Sequence, residues 1–151
     1  VVAVGQTKAR IQRIKRLAAT TMNGGRPLIE DPLFKARLTS LEVELTAIEM
    51  SVLRVLDSEG RNGPGKPDPV SSVLKLKGSE LQQEATELLV DVLGPNALPY
   101  REGLETPDGF ADPVEGSLDA FPTYFNWRKA SIYSGSNEVQ RTIIAKAILK
   151  F

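Results

Sequence analysis

A short segment near the C-terminus, Ser134-Gly135-Ser136, carries the residues whose types and spacing best suit chemistry. It separates two stretches with helical spacing and reads as a sharp turn between them. A turn that opens a helix leaves free backbone N–H groups and the positive end of the helix dipole at one spot. Gly135 lets the backbone approach a ligand closely, and Ser136 can cap the following helix. The sequence therefore predicts a site here for a phosphate-bearing cofactor or substrate.

Composition limits the reactions that such a site can support. The chain has no histidine and no cysteine, which removes the commonest general base and the usual zinc ligands, so we expect no metal site. The 19 basic and 19 acidic side chains balance, and no net field favours nucleic acid. No apolar run has the length of a membrane span. The absence of cysteine is typical of a cytoplasmic protein.

Helical periodicity extends over most of the chain and predicts helices at about 1–22, 31–58, 70–93, 121–132 and 137–150. The second helix has the clearest start, because Asp31 is a good N-cap and Pro32 suits the first helical position. An apolar seam follows at spacings of three and four residues, made of Phe34, Leu38, Leu41, Leu45, Ile48, Val52 and Val55. The sequence thus predicts an all-α protein, a four-helix bundle of long antiparallel helices with a short extra helix at the C-terminus.

The remaining patterns allow two interpretations each. The first helix is basic (Lys8, Arg10, Arg13, Lys15 and Arg16), and its charged face either is solvated or contacts an acidic neighbour or coenzyme phosphates. Residues 94–120 show no periodicity and are rich in proline, glycine and acids, which indicates either a functional or a mobile loop. In the fifth helix we expect a buried stripe of Val139, Ile143, Ala147 and Ile148.

A family resemblance adds to these patterns. Ile132-Tyr133, Gly135-Ser136, Gln140-Arg141 and Ile143-Ile144-Ala145, in this order, resemble the last two helices of flavin-dependent acyl-CoA dehydrogenases, and residues 74–83 resemble an earlier helix of the same domain. The resemblance spans the whole chain. It implies that residues 1–151 are the family's C-terminal helical domain, without the N-terminal helical and middle β domains. Because the chain begins at Val1 inside a predicted helix, we expect a fragment of a longer protein, inactive by itself.

The resemblance also implies a function. Members bind FAD between domains and across a subunit interface, and a carboxylate base removes the α-proton of an acyl-CoA while hydride passes to FAD, giving a trans-2-enoyl-CoA. The implied partners are electron-transferring flavoprotein and further subunits, as a dimer, a tetramer or a heteromeric assembly. By match to the family's motif, Gly135 and Ser136 contact FAD, and Glu138 lies near its adenosine half or simply stabilises the first helical turn. Tyr133 and Ser134 lie beside the substrate, with core packing as the alternative for Tyr133.

This sequence departs from the family at several positions. Many members carry the catalytic Glu where this chain has Ser134, and a hydroxyl without a histidine partner is not a competent base, so we expect no catalytic residue within this chain. Asp91, Thr21 and Gly24 replace residues that contact FAD of a neighbouring subunit, and Arg26 is a candidate replacement for the lost positive charge. These departures leave a second hypothesis open, in which the chain is a non-catalytic helical subunit or assembly module derived from the same family.

Overall fold

A computed structural model describes residues 3–62, 69–98 and 117–150 of the chain. The described residues form five α-helices, namely α1 (Val4–Thr20), α2 (Pro32–Asn62), α3 (Val70–Leu93), α4 (Ala120–Arg128) and α5 (Asn137–Ile144). The prediction of an all-α protein is confirmed. Of the acids between 102 and 119, only Asp119 belongs to the described residues. The predicted loop 94–120 is described only at its ends, where Gly94–Ala97 and Ser117–Asp119 form 3-10 turns, and the prediction for residues 99–116 lies outside the described residues.

Helix α3 lies at the centre of the domain and packs against α1, α2, α4 and α5. The predicted apolar seam of α2 faces this core, with Val52 partly buried and the other members buried. The core is completed mainly from α1 and α3, by Ile11, Ile14, Ala18, Leu74, Leu81, Ala85, Leu88, Leu89 and Val92. Burial of these aliphatic side chains is the main source of stability for the elements that position the site.

The start of α2 agrees with the prediction. The Oδ1 atom of Asp31 accepts hydrogen bonds from the backbone N–H groups of Leu33 at 3.0 Å and Phe34 at 2.9 Å, and Pro32 is the first helical residue. A feature that was not predicted precedes it. Strands β1 (Met22–Asn23) and β2 (Arg26–Pro27) form a small antiparallel hairpin. Strands of two residues are too short to show an alternating pattern.

The predictions for the C-terminal helices need correction. Helix α4 ends at Arg128 and continues as a 3-10 turn, Lys129–Ser131, while α5 ends in a π-helical turn, Ala145–Leu149. The predicted buried stripe is wrong for the described side chains, because Val139 is 51% exposed, Ile143 is 41% exposed and Ala147 is exposed. Helical spacing identifies an apolar face but not what covers it, and α5 packs on α3 with other side chains.

The basic face of α1 contacts acids of the same chain. Lys8 pairs with Glu49 and Lys15 with Glu42, each at 2.5 Å, and Arg13 pairs with Asp119 at 2.9 Å. Exposed pairs of this kind contribute about 1 kcal/mol or less. The acidic neighbour considered from the sequence is thus supplied for these three side chains within the domain. Across the described ranges, no helix is both long enough and apolar enough to cross a membrane.

Candidate functional site: a left-handed turn and a polar pocket

The chain reverses direction at residues 134–136, between the end of α4 and the start of α5. Ser134 has φ 57° and Gly135 has φ 84°, so two successive residues adopt left-handed backbone conformations. A Cβ atom at Gly135 would lie 2.7 Å from Nε2 of Gln140. Glycine adopts a left-handed conformation without strain, whereas for an L-residue such as Ser134 this conformation costs about 1–2 kcal/mol. Strained residues of this kind concentrate at functional sites.

Helix α5 begins directly after this turn. The hydroxyl oxygen of Ser136 accepts a hydrogen bond from the Val139 N–H at 3.4 Å, as the cap predicted from the sequence. Glu138 follows in the first helical turn. Hydrogen bonds from its own backbone amide and from the Ser136 side chain lower the pKa of the Glu138 carboxyl, and the charge of Arg141 adds to this. Glu138 is therefore an exposed, ionised carboxylate beside the turn.

A pocket of about 90 Å³ lies between the turn and α3. Tyr133 and Ser134, predicted to lie beside the substrate, both line it. The remaining wall is contributed by Ala3, Lys75, Gly78, Ser79, Gln82, Trp127 and Ala130. Among the described residues, no aspartate or glutamate lines this pocket. The pocket thus has a polar floor from α3 and an aromatic rim from Trp127 and Tyr133.

An open cleft of about 480 Å³ shares the two aromatic residues, Trp127 and Tyr133, with the pocket. It is lined by Asn126, Trp127, Lys129 and Tyr133. Tyr133 is 49% exposed and lines both the pocket and the cleft, which differs from the core packing considered from the sequence.

Behind Trp127, the guanidinium of Arg10 lies 5.7 Å from the indole ring centroid and donates a hydrogen bond to Oε1 of Gln82. Burial lowers the pKa of Arg10, the charge of Arg13 lowers it further, and Asp119 opposes both. An arginine stays protonated even so. Arg10 therefore supports the aromatic rim with a partly buried positive charge.

Polar side chains of α3 contact both ends of the turn segment, which we define as residues 127–137. Lys75 and Ser79 contact the side chain of Asn137, the first residue of α5. Gln83 donates to the backbone carbonyls of Trp127 at 3.3 Å and Arg128 at 3.2 Å. Neither set of contacts was predicted from the sequence. The signal was present in the spacing of four residues that places Lys75, Ser79 and Gln83 on one helical face.

The positions that depart from the family lie at two places. Thr21, Gly24 and Arg26 belong to the end of α1 and the hairpin, where Gly24 has φ 57°. Asp91 lies in the last turn of α3 and its carboxylate accepts a hydrogen bond from Arg37 at 2.7 Å. Its negative charge is therefore partly compensated by a neighbour on α2.

Fold and site together describe an all-α domain in which the last two helices hold a glycine turn beside an aromatic-rimmed pocket. A family profile described as "Acyl-CoA dehydrogenase, C-terminal domain" matches residues 1–149. The chain belongs to the acyl-CoA dehydrogenase family, and it corresponds to the C-terminal domain of that family.

Two curated relatives agree with this assignment. Acyl-CoA dehydrogenase IpdE1 of Mycobacterium tuberculosis is 32% identical over 120 residues, which cover 80% of this chain and 27% of the relative. The Mycolicibacterium smegmatis protein of the same name is also 32% identical over 120 residues, 80% of this chain and 26% of the relative. The chain therefore matches about a quarter of the length of these relatives.

Solved structures share the fold at lower identity. The ChsE4-ChsE5 complex from Mycobacterium tuberculosis has a TM-score of 0.75 at 22% identity and covers 100% of this chain and 37% of the other. An electron transferring flavoprotein structure from Acidaminococcus fermentans has a TM-score of 0.74 at 16% identity, covering 99% and 34%. The FAD complex of PigA has a TM-score of 0.73 at 16% identity, covering 95% and 33%. At these identities the likeness concerns the fold.

Proposed function

We propose that this chain is the FAD-contacting and oligomerisation domain of an acyl-CoA dehydrogenase that oxidises an acyl-CoA thioester to the trans-2-enoyl-CoA. The observation that carries the proposal is the left-handed turn at Ser134 and Gly135. This turn precedes α5 and lies at a pocket lined by Tyr133 and Ser134, in a chain that belongs to this family. FAD, when bound, supplies the hydride acceptor. The FAD complex of PigA, which shares the fold, supports this choice of cofactor.

The turn has the chemistry that FAD requires. Gly135 has no side chain to block an approaching phosphate or ribose, and its left-handed φ of 84° is one that glycine adopts without strain. The Ser136 hydroxyl accepts a hydrogen bond from the Val139 N–H at 3.4 Å and also hydrogen-bonds the Glu138 carboxylate, so it holds the first turn of α5 beside the proposed ligand position. The ionised Glu138 suits the hydroxyl groups of a ribose and repels phosphate. Glu138 therefore belongs with the adenosine ribose.

The base for the α-proton lies outside this chain under this proposal. Ser134 lines the pocket but has no histidine to receive its proton. Lys75, also in the pocket wall, donates a hydrogen bond to Asn137 at 2.9 Å and is occupied in that contact. The expected base is an upstream glutamate of the full-length protein.

Substitution of Ser134 in the full-length protein tests this assignment. We expect Ser134→Ala to keep turnover within about tenfold, or about 1.4 kcal/mol of barrier. Ser134→Gly removes the same hydroxyl and also relieves the left-handed strain, so it too should keep turnover within about tenfold of wild type if the hydroxyl is not the base. Ser71→Ala, at an exposed serine of α3, is the matched control. A folded, FAD-loaded Ser134→Ala enzyme that loses about a thousandfold, or about 4 kcal/mol, would contradict the proposal.

The converse substitution is Ser134→Glu, made after deletion of the upstream base. Partial recovery of turnover would support the proposal that this turn faces the substrate α-carbon. No recovery, with FAD bound normally, would place the turn away from the reacting carbon.

Assembly is the second part of the proposal. Large apolar side chains are exposed on α2 and around α5, namely Val43, Met50, Leu53, Leu56, Val139, Ile143 and Leu149. Such exposure favours burial by another subunit, either a second copy in a dimer or tetramer or a heteromeric partner. The complex named ChsE4-ChsE5, which shares the fold, supports the heteromeric form, and electron-transferring flavoprotein is the proposed electron acceptor. A cytoplasmic location remains a prediction from composition.

A second candidate is a non-catalytic subunit of a heteromeric dehydrogenase. The observation that favours it is that, among the described residues, the pocket has no carboxylate and position 134 is serine. The full-length protein should be purified alone and with any co-purifying subunit, and its flavin content and turnover measured. Stoichiometric flavin with turnover in the single subunit supports the enzyme, whereas activity that appears only in the complex supports the second candidate.

A further inference from the structure

The face of α3 that meets the C-terminal helices carries a polar row made of Lys75, Ser79 and Gln83. These residues are four positions apart, which places them on one side of the helix. Ser79 is buried and Lys75 and Gln83 are partly buried, and each of the three finds a hydrogen-bond partner in the segment 127–137. The polar row therefore connects α3 to both ends of the turn segment.

At the start of α5, the hydrogen bonds of Asn137 can be assigned atom by atom. Ser79 donates its single hydroxyl proton to the Leu76 carbonyl at 2.7 Å and accepts from Nδ2 of Asn137 at 3.1 Å. Oδ1 of Asn137 accepts from the Lys75 ammonium at 2.9 Å. Asn137 is 5% exposed, so water does not replace these partners. One arrangement of the three side chains therefore gives Oδ1 and Nδ2 of Asn137 and the Ser79 hydroxyl a partner each.

At the other end, Gln83 and Arg128 exchange hydrogen bonds. Arg128 donates to the Gln83 backbone carbonyl at 2.7 Å, while the Gln83 amide donates to the carbonyls that close α4 and to the Ser131 hydroxyl at 3.3 Å. The Arg128 guanidinium also lies 4.3 Å from the ring centroid of Tyr124. These contacts fix the end of α4 relative to α3.

The residues between the two contacts have little packing of their own. Ile132 is 71% exposed and Tyr133 is 49% exposed, and Ser134 and Gly135 are exposed as well. The position of the turn relative to the pocket is therefore set mainly by its two ends. A hydrogen-bonded asparagine is directional, whereas an aliphatic side chain of similar size would bury equally well without fixing one orientation.

We propose that Asn137, held by Ser79 and Lys75, is a positioning residue that fixes the Ser134–Gly135 turn against the pocket and so sets the geometry of FAD and acyl-CoA binding. The part that concerns ligands rests on the proposed function, whereas the part that concerns the turn does not. Asn137 itself does not touch the reacting atoms.

The test compares two substitutions of Asn137 in the full-length protein. Asn137→Leu keeps the side-chain size and the burial but removes both polar contacts. Asn137→Asp keeps the acceptor for Lys75 and replaces the amide donor with an oxygen that the Ser79 hydroxyl can reach by rotation. Asn96→Ala and Ser71→Ala, at exposed positions, are the matched controls.

Hydrogen exchange is the readout that does not depend on any ligand. We expect the hydrogen-bonded amides on either side of the turn, those of Tyr133, Val139 and Gln140, to exchange about tenfold or more faster in Asn137→Leu and within about threefold of wild type in Asn137→Asp. Exchange in α2 should be unchanged in both variants. Asn137→Leu with exchange at these amides within about twofold of wild type would overturn the inference. If Asn137→Leu does not fold, Ser79→Ala takes its place, with an expected increase of about threefold or more at the same amides.

The ligand readouts separate this inference from the proposed function. In Asn137→Leu the bound flavin fraction should fall and the KM for acyl-CoA should rise by about fivefold or more, with recovery in Asn137→Asp. Faster exchange at the turn in a full-length protein that never binds flavin would uphold the positioning role and refute the function. A raised KM without faster exchange at the turn would overturn the positioning role, because Asn137 would then act on the ligand directly.

Discussion

Replacement of Gly135 by alanine tests the turn most directly. Its φ of 84° lies in the left-handed region, where an L-residue costs about 1–2 kcal/mol. The added Cβ would also meet Nε2 of Gln140 at 2.7 Å, but that atom ends a flexible side chain that can rotate away. The backbone term therefore dominates, and we expect Gly135→Ala to lower the free energy of unfolding by about 1–2 kcal/mol.

The chain offers a matched control at Gly25 in the β1–β2 hairpin. Its φ is 83°, nearly the same as that of Gly135, and an added Cβ meets nothing within 4 Å. Gly25→Ala should thus cost the same backbone strain without the contact to Gln140. The double substitution Gly135→Ala with Gln140→Ala removes that contact at the turn. The loss in free energy of unfolding of the double variant, after subtraction of the loss caused by Gln140→Ala alone, should equal the loss caused by Gly25→Ala.

The assay is urea unfolding of the full-length protein together with its flavin content after gel filtration. Both glycine variants should lose stability, but Gly135→Ala should lose more flavin than Gly25→Ala, because the backbone of Gly135 itself is proposed to contact the cofactor. Equal flavin content in the two variants would refute the cofactor role of the turn. A stability loss below about 0.3 kcal/mol in Gly135→Ala, within the error of such comparisons, would refute the strain argument itself.

Three further outcomes are expected. The chain 1–151 purified with FAD should be colourless and inactive, since the proposed site is expected to need residues outside 1–151. Stoichiometric flavin absorbance with acyl-CoA turnover would contradict this. Light scattering of the same sample should show self-association. Asp31→Ala removes the acceptor for two N–H groups of α2 and should cost about 1 kcal/mol by urea unfolding, whereas no measurable loss would show that the cap is dispensable. Burial, and next the charge of Glu44, raise the pKa of Glu84 above its ordinary value, so ionisation disfavours the folded state and stability is lost as pH rises through the folded pKa. Glu84→Gln should therefore be more stable than wild type at pH 7 and equal to it at pH 3, and a constant difference across this range would contradict the shift.

The parts of the fold that could be predicted from the sequence are those fixed by local chemistry. Asp31-Pro32 marks the start of α2 because one side chain caps the helix and the other suits its first position. The seam from Phe34 to Val55 was predicted correctly because a long run of regular spacing leaves only one face for the core. The hairpin after α1 was not predicted, since its four paired residues carry no periodic signal.

The features of the site also divide into those that local sequence predicts and those that it does not. The turn was predicted because glycine and serine at 135 and 136 act through their own backbone and a neighbouring amide. The contact of Asn137 with Lys75 and Ser79 was not predicted, because it joins residues 58 and 62 positions apart. An asparagine at the start of a helix gives no sign in the sequence that its side chain is buried against another helix.

The error over α5 shows where sequence reasoning stops. Val139 and Ile143 do form an apolar stripe, and a stripe of that kind normally faces a core. Here the side of α5 that packs on α3 begins with the buried Asn137, and the stripe is left exposed beside the strained Ser134. The C-terminal part of the domain therefore carries two unfavourable features, namely exposed apolar side chains on α5 and a serine in a left-handed conformation. Contact with a further domain or subunit would bury the apolar side chains and hold Ser134 in its conformation. The proposed function requires such a contact.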